Sequence, residues 1–198
     1  RGTEYRQLVD EQVSRILGIV EGELARARLD GRAPDILHQA VPVKPVLERI
    51  AGAYQRLPRL DAASTGPVAV DTSGIAEGLR FAGEERDLQD LFGSVLENAI
   101  RHCHRRVAVT ATPESDDGQG WIVLRIGDDG DGIPGGRERE ILQRGAREDT
   151  AHDGQGLGLS IAQSVINRHD GLLECESTPG ETCFTLYLPM ETRDAQPS

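Results

Sequence analysis

Hydrophobic spacing divides the chain into one isolated amphipathic stretch and a longer region where short apolar runs alternate with helical stripes. Val9, Val13, Ile16, Val20, Leu24 and Ala27 recur at intervals of three and four residues, with Leu17 widening the stripe and charged residues between them. This spacing predicts one amphipathic helix that ends near Asp30-Gly31, where glycine can take the left-handed C-cap conformation. The Ala33-Pro34 break makes residues 1–33 a separate element. A lone helix of this kind needs a partner: its own domain, or a second helix in a hairpin that dimerises into a bundle, the arrangement the break favours.

Beyond the break, Ile36-Leu37 and Ala40-Val41 read as a short strand, and Pro45 to Leu57 as a helix with proline in its first turn. Leu57 to Gly66 is a polar connection, followed by short strands at Val68-Ala69-Val70 and Leu79-Arg80-Phe81. Glu84 to Cys103 predicts a long helix that buries Leu88, Leu91, Phe92, Val95, Leu96 and Ala99. Val107 to Thr112 and Trp121 to Ile126 predict paired strands around a loop at Ser115 to Gly120. A helix follows from Leu159 to about Arg168, then a closing hairpin, Gly171 to Glu176 and Cys183 to Leu188, through Thr178-Pro179-Gly180. Between Gly135 and Asp153 only Ile141-Leu142 can be buried, and so long a polar segment inside a domain reads as a functional lid. The tail over 191–198 is polar and expected to be disordered.

Two glycine clusters carry the candidate chemistry. Gly127-Asp128-Asp129-Gly130-Asp131-Gly132-Ile133-Pro134 leaves the strand Trp121 to Ile126, so an aspartate sits where backbone can approach a ligand closely. Gly154-Gln155-Gly156-Leu157-Gly158-Leu159 opens a helical run, so its backbone N–H groups gather where phosphate oxygens can be received. A purine nucleotide has matching ends, an amino group for the carboxylate and an anionic tail for the cradle. On the long helix Ser94, Asn98, Arg101 and His102 share one face. An asparagine oxygen suits Mg2+, which keeps several waters and binds nucleotide phosphates, and Arg101 is a permanent positive charge. A solvated polar face is the plain alternative.

Composition narrows the partners. A net charge of −11 over 198 residues disfavours polyanions, so neither nucleic acid nor acidic membrane is expected to bind, and the ligand site must supply its own positive potential. The three cysteines, Cys103, Cys175 and Cys183, have no CxxC spacing, which fits a reducing compartment. No signal peptide or bilayer-length apolar run is present. Gly130 to Gly135 matches the GxGxxG dinucleotide fingerprint, but Pro134 and the polar lid follow where an apolar helix should. Counted from Asp129, an EF-hand loop would put Ile133 at a ligand position.

Taken together these motifs resemble the sensor histidine kinases of two-component systems. Leu96-Glu97-Asn98-Ala99-Ile100-Arg101-His102 is similar to their N box, Asp128 to Pro134 to their G1 box, and Gly154 to Leu159 to their G2 box, in matching order and separation. Gly171, Ser177-Thr178-Pro179-Gly180 and Phe184-Thr185-Leu186 match the family's ending, so the resemblance spans roughly 41–189. Asp149-Thr150 shortly before Gly154 is similar to the PhoQ-type subgroup.

The resemblance implies an α/β (α+β) two-layer sandwich, a mixed sheet covered on one face by helices, called the Bergerat ATP-binding fold. It would occupy 34–190, preceded at 1–33 by the second helix of a dimerisation and phosphoacceptor hairpin. ATP and Mg2+ would be the cofactors. Asp128 would accept from the adenine amino group, Gly130 and Gly132 would allow the turn, and Ile133 would line the base pocket. Asn98 would bind Mg2+ with Gln155 near the metal, Arg101 and His102 would contact phosphate or ribose, and the backbone of Gly154, Gly156, Leu157 and Gly158 would wrap the phosphates. Arg147, in the lid, would reach the terminal phosphate.

Three departures from the family pattern bear on mechanism. The lid segment Ile141 to Arg147 lacks the F-box phenylalanine, and Ser94 stands where many members have a second asparagine. In the related gyrase, Hsp90 and MutL group a glutamate one turn before the asparagine activates water, which serine cannot do. The family's acceptor, a histidine in a His-Glu or His-Asp segment followed by a proline on the first hairpin helix, has no counterpart here; His38 lacks the acidic neighbour, and His104, His152 and His169 read as surface residues. The expectation is therefore the ATP-binding part of a cytoplasmic kinase portion, homodimeric through the hairpin, that transfers the γ-phosphoryl group of ATP to a histidine outside this sequence for relay to a response-regulator receiver domain. A degenerate, non-catalytic interaction module and a serine-directed anti-sigma-factor kinase are the alternatives.

Overall fold

The computed structural model describes residues 40–56, 68–116, 118–133, 137–138, 141–142 and 157–191. The first amphipathic helix, the connection at 57–67, most of the predicted lid and the tail after Glu191 lie outside them. Among the described residues no helix is long and apolar enough to cross a membrane.

A short strand β1 (Val41–Pro42) runs directly into helix α1 (Val43–Tyr54), whose first turn holds Pro45, where a missing N–H costs nothing. Strand β2 (Ala69–Ile75) follows, then β3 (Arg80–Phe81), which pairs antiparallel with β1. Helix α2 (Glu85–His102) carries acidic residues in its first turn and Arg101 and His102 in its last, the polarity its macrodipole favours. Strands β4 (Arg106–Asp116) and β5 (Gln119–Asp128) form a long antiparallel ladder. Helix α3 (Leu157–Arg168) and the hairpin β6 (Leu172–Thr178) and β7 (Glu181–Pro189) complete the fold.

The five-stranded sheet runs in the order β2-β4-β5-β7-β6, with β2 parallel to β4 and the other neighbours antiparallel. On β5, Ile122, Leu124 and Ile126 are fully buried while Arg125 between them is exposed. On β7, Phe184, Leu186 and Leu188 are likewise buried, as is Thr185 between the first two. The buried side chains join Leu88, Leu91, Phe92, Val95, Leu96 and Ala99 of α2 and Ala162, Val165 and Ile166 of α3 in one core. Each buried leucine, isoleucine, valine or phenylalanine among them contributes roughly 1.5–3 kcal/mol of transfer free energy. The result is the expected mixed sheet covered on one face by helices.

The structure departs from the sequence reading mainly at element ends. Strand β2 extends through polar Asp71-Thr72-Ser73 to Ile75, where only Val68 to Val70 was expected. As an edge strand it tolerates polar residues: Asp71 accepts from Ser73 and pairs with Arg106 at 2.9 Å across to β4, and the register shifts between Asp71 and Gly74. The loop predicted at Ser115 to Gly120 shrinks because the ladder runs to Asp116 and Gln119, with Gly118 at φ 83 in the turn. Helix α3 begins at Leu157, inside the second glycine cluster.

Candidate functional site

Strand β5 ends at Asp128, which is paired in register with Val107 of β4 and Thr182 of β7 and is 4% exposed. Its Oδ1 accepts the Gly130 N–H at 3.0 Å, and Oδ2 makes no hydrogen bond among the described residues. Burial raises the carboxyl to about 6, against the Gly130 N–H and with help from the neighbouring Asp129 charge. Asp129 is tuned the other way. Burial pushes its carboxyl up, but the backbone N–H groups of Arg105, Arg106 and His104 outweigh it and hold the group below its ordinary value. Those three donors lie 2.9–3.0 Å from Oδ1, so Asp129 staples the α2–β4 corner while Asp128 holds only the Gly130 N–H among the described residues.

The turn after Asp128 needs its glycines. A Cβ at Gly130 would strike the His102 carbonyl oxygen, and Gly132, at φ 81, would meet the Thr178 carbonyl oxygen. Ile133 N–H then donates to Ser177 Oγ at 2.8 Å, tying the turn to the β6–β7 hairpin, and His104 Nε2 lies 3.0 Å from Asp131 Oδ1. The first cluster is thus wedged between the end of α2 and the β6–β7 turn, with Ile133 half-buried there.

On α2, Asn98 is half-buried, and Arg101 and His102 are exposed. Arg101 Nη2 pairs with Glu97 Oε1 at 3.0 Å, one turn back. Ser94 Oγ donates to the Asp90 carbonyl at 2.6 Å, so its hydroxyl is committed to its own helix. The start of α3 lies against this part of α2: a Cβ at Gly158 would sit 3.4 Å from the Ser94 carbonyl oxygen. Of the predicted residues, the structure therefore places Asp128, Gly130, Gly132 and Ile133 in one turn beside the end of α2, and Gly158 one helical turn from Asn98. Gly154, Gln155, Gly156 and Arg147 lie outside the described residues, as does the Leu157 side chain.

This donor set fits Mg2+ and a nucleotide. Among the described residues there is no cluster of three or more carboxylates, histidines or cysteines for a metal; an asparagine oxygen such as that of Asn98, half-buried on α2, is a hard donor of the kind Mg2+ accepts beside phosphates and water.

Sequence reasoning singled out Asp128 through the family resemblance but gave Asp129 no task, because the backbone N–H groups it gathers lie 23 to 25 residues away. It missed Ser177, and it placed His169 on the surface. In fact His169 lies 2.7 Å from the buried Asp87, its side chain 14% exposed.

The model of the family described as histidine kinase-, DNA gyrase B-, and HSP90-like ATPase matches residues 83–192. The virulence sensor histidine kinase PhoQ of Salmonella typhimurium is 29% identical over 161 residues, covering 81% of this chain and 31% of that protein. The two-component sensor PhoQ of Pseudomonas aeruginosa is 30% identical over 184 residues, 92% of this chain and 38% of that one. The chain thus spans under two-fifths of either relative. Among solved structures, a mycobacterial sensor histidine kinase, MprB, superposes with a TM-score of 0.61 at 25% identity, covering 78% of this chain and 98% of its own.

Proposed function

The chain belongs to the family of histidine kinase-, DNA gyrase B- and HSP90-like ATPases as the ATP-binding domain of a sensor histidine kinase, and from that premise we propose that it positions Mg-ATP for transfer of the γ-phosphoryl group to a histidine on a dimerisation helix. The observation that carries the reading is the pair of ends: a buried Asp128 with one oxygen uncommitted, and a helix start laid against the Asn98 face of α2.

In this reading Asp128 accepts from the adenine amino group and Ile133 lines the base. Asn98 holds Mg2+, with Gln155 nearby; Arg101 and His102 face phosphate or ribose; Gly154, Gly156, Leu157 and Gly158 present backbone N–H groups; Arg147 meets the terminal phosphate. Mg2+, when bound, neutralises the charge that develops on the transferring phosphoryl group. The chain's own part is positioning. No base for water stands one turn before Asn98, since Ser94 is bonded to Asp90 O and Glu97 is engaged by Arg101. That favours transfer to a histidine over hydrolysis. Residues 1–33 would supply half of the dimerising hairpin, a receiver domain would take the phosphoryl group onward, and the domain would work in the cytoplasm.

The test is calorimetric titration of Mg-ATP into the chain and into Asp128→Asn. Binding in the former that is lost in the latter is the expected result. No binding in either would leave a degenerate interaction module as the better account.

A further inference from the structure

The nucleotide reading leaves one buried charge without a task. Asp87, in the first turn of α2, is 6% exposed, and its two oxygens are taken by two residues at the far end of α3. Arg168 Nη1 donates to Oδ1 at 2.6 Å, and His169 Nε2 lies 2.7 Å from Oδ2. The imidazole is fixed in turn by Phe81 of β3, edge to face with centroids 4.9 Å apart. Gly83 makes room for it, since a Cβ there would lie 2.7 Å from His169 Cε1.

Burying a carboxylate is costly, and apolar side chains of like volume often hold two helices together as well or better. What a paired buried charge adds is a defined register. Helix α3 approaches α2 closely at its other end too, where Gly158 meets Ser94. It therefore runs back along α2 from Ser94 toward Asp87, held at both ends. A slide of one helical turn, about 5.4 Å, would carry the start of α3 out of reach of any phosphate held at Asn98.

We propose that Asp87 is a positioning residue of the nucleotide site: by clasping Arg168 and His169 it fixes the register of α3 on α2, and so the distance from the α3 N-terminal backbone to Asn98. The inference rests on the nucleotide reading and deepens it. It predicts separable effects on the two ends of the ligand, because Asp128 and its turn hang from β5 and do not depend on where α3 sits.

The test is titration of the 198-residue chain with adenosine and with Mg-ATP, in wild type, Asp87→Asn, Arg168→Gln and Arg168→Lys. Asp87→Asn should weaken Mg-ATP about 10-fold, the scale on which supporting residues act on a metal site, and leave adenosine affinity unchanged. Arg168→Gln, at a side chain 41% exposed, should move Mg-ATP in the same direction, and Arg168→Lys should recover part of the loss. Unchanged Mg-ATP affinity in both Asp87→Asn and Arg168→Gln overturns the proposal. So does a parallel loss of adenosine and Mg-ATP with a lowered melting temperature, which would make Asp87 a support of the fold alone. A wild-type chain that binds neither ligand overturns the nucleotide reading first, and this inference with it.

Discussion

At the scale of single residues, Asp128 shows how a site is built at a cost to the fold. Its carboxyl stands at about 6 because burial disfavours the charge, against an ordinary value near 3.9. Between those two values the folded chain binds the proton that the unfolded chain releases, so stability falls as pH rises from about 4 to 6, and the full penalty persists above that. Asp128→Asn removes the charge but keeps an acceptor for the Gly130 N–H. It should stabilise the ligand-free domain by about 1–3 kcal/mol at pH 7 while it abolishes adenine preference. Urea unfolding of both proteins at pH 7 and pH 4 checks the sign: the gain should vanish at the lower pH. Adenosine affinity in wild type should fall as pH drops through about 6, since a protonated carboxyl no longer accepts from the amino group as a carboxylate does. Adenosine is the right probe because it carries no phosphate to titrate.

At the scale of elements, the glycines of the first cluster decide whether the turn after β5 can exist. Gly132→Ala would force a side chain into left-handed backbone at φ 81 and against the Thr178 carbonyl. The expected cost is about 1–3 kcal/mol, read as a lower urea midpoint, together with weaker nucleotide binding because the turn must shift. An unchanged midpoint would mean the turn relaxes freely. Such glycines were legible in the sequence because a turn that must pass backbone admits little else, and α2 was legible because Leu88, Leu91, Val95 and Ala99 recur at helical spacing. What was not legible depended on distance in the chain. Asp129 gathers N–H groups 23 to 25 residues away, and Asp87 meets residues 81 and 82 positions on. No local pattern marks such partners. The polar run of β2 failed for a related reason: Asp71 and Ser73 look like a turn until Arg106 and strand β4 are beside them.

At the scale of the whole molecule, the net charge of −11 sets a problem that the site must solve. An anionic ligand approaching an acidic protein is repelled over a Debye length of about 8–10 Å at ordinary salt, and free ATP carries more negative charge than its Mg2+ complex. Mg2+ should therefore improve binding for two reasons, one global and one local: it lowers the ligand's charge, and Asn98 can hold it. These separate experimentally. Asn98→Ala leaves the net charge untouched, so it should keep the global part and lose the local part. Mg-ATP affinity should fall while affinity for ATP in chelator stays as in wild type, and the ratio of the two should drop without reaching one. Thermal unfolding gives the same readout, because ligand at 100 times its Kd adds about 2.7 kcal/mol to stability. Wild type should therefore melt several degrees higher with saturating Mg-ATP than without. If Asn98→Ala leaves the Mg2+ ratio unchanged, the cation acts through charge alone, and another oxygen donor near the start of α3 must be sought.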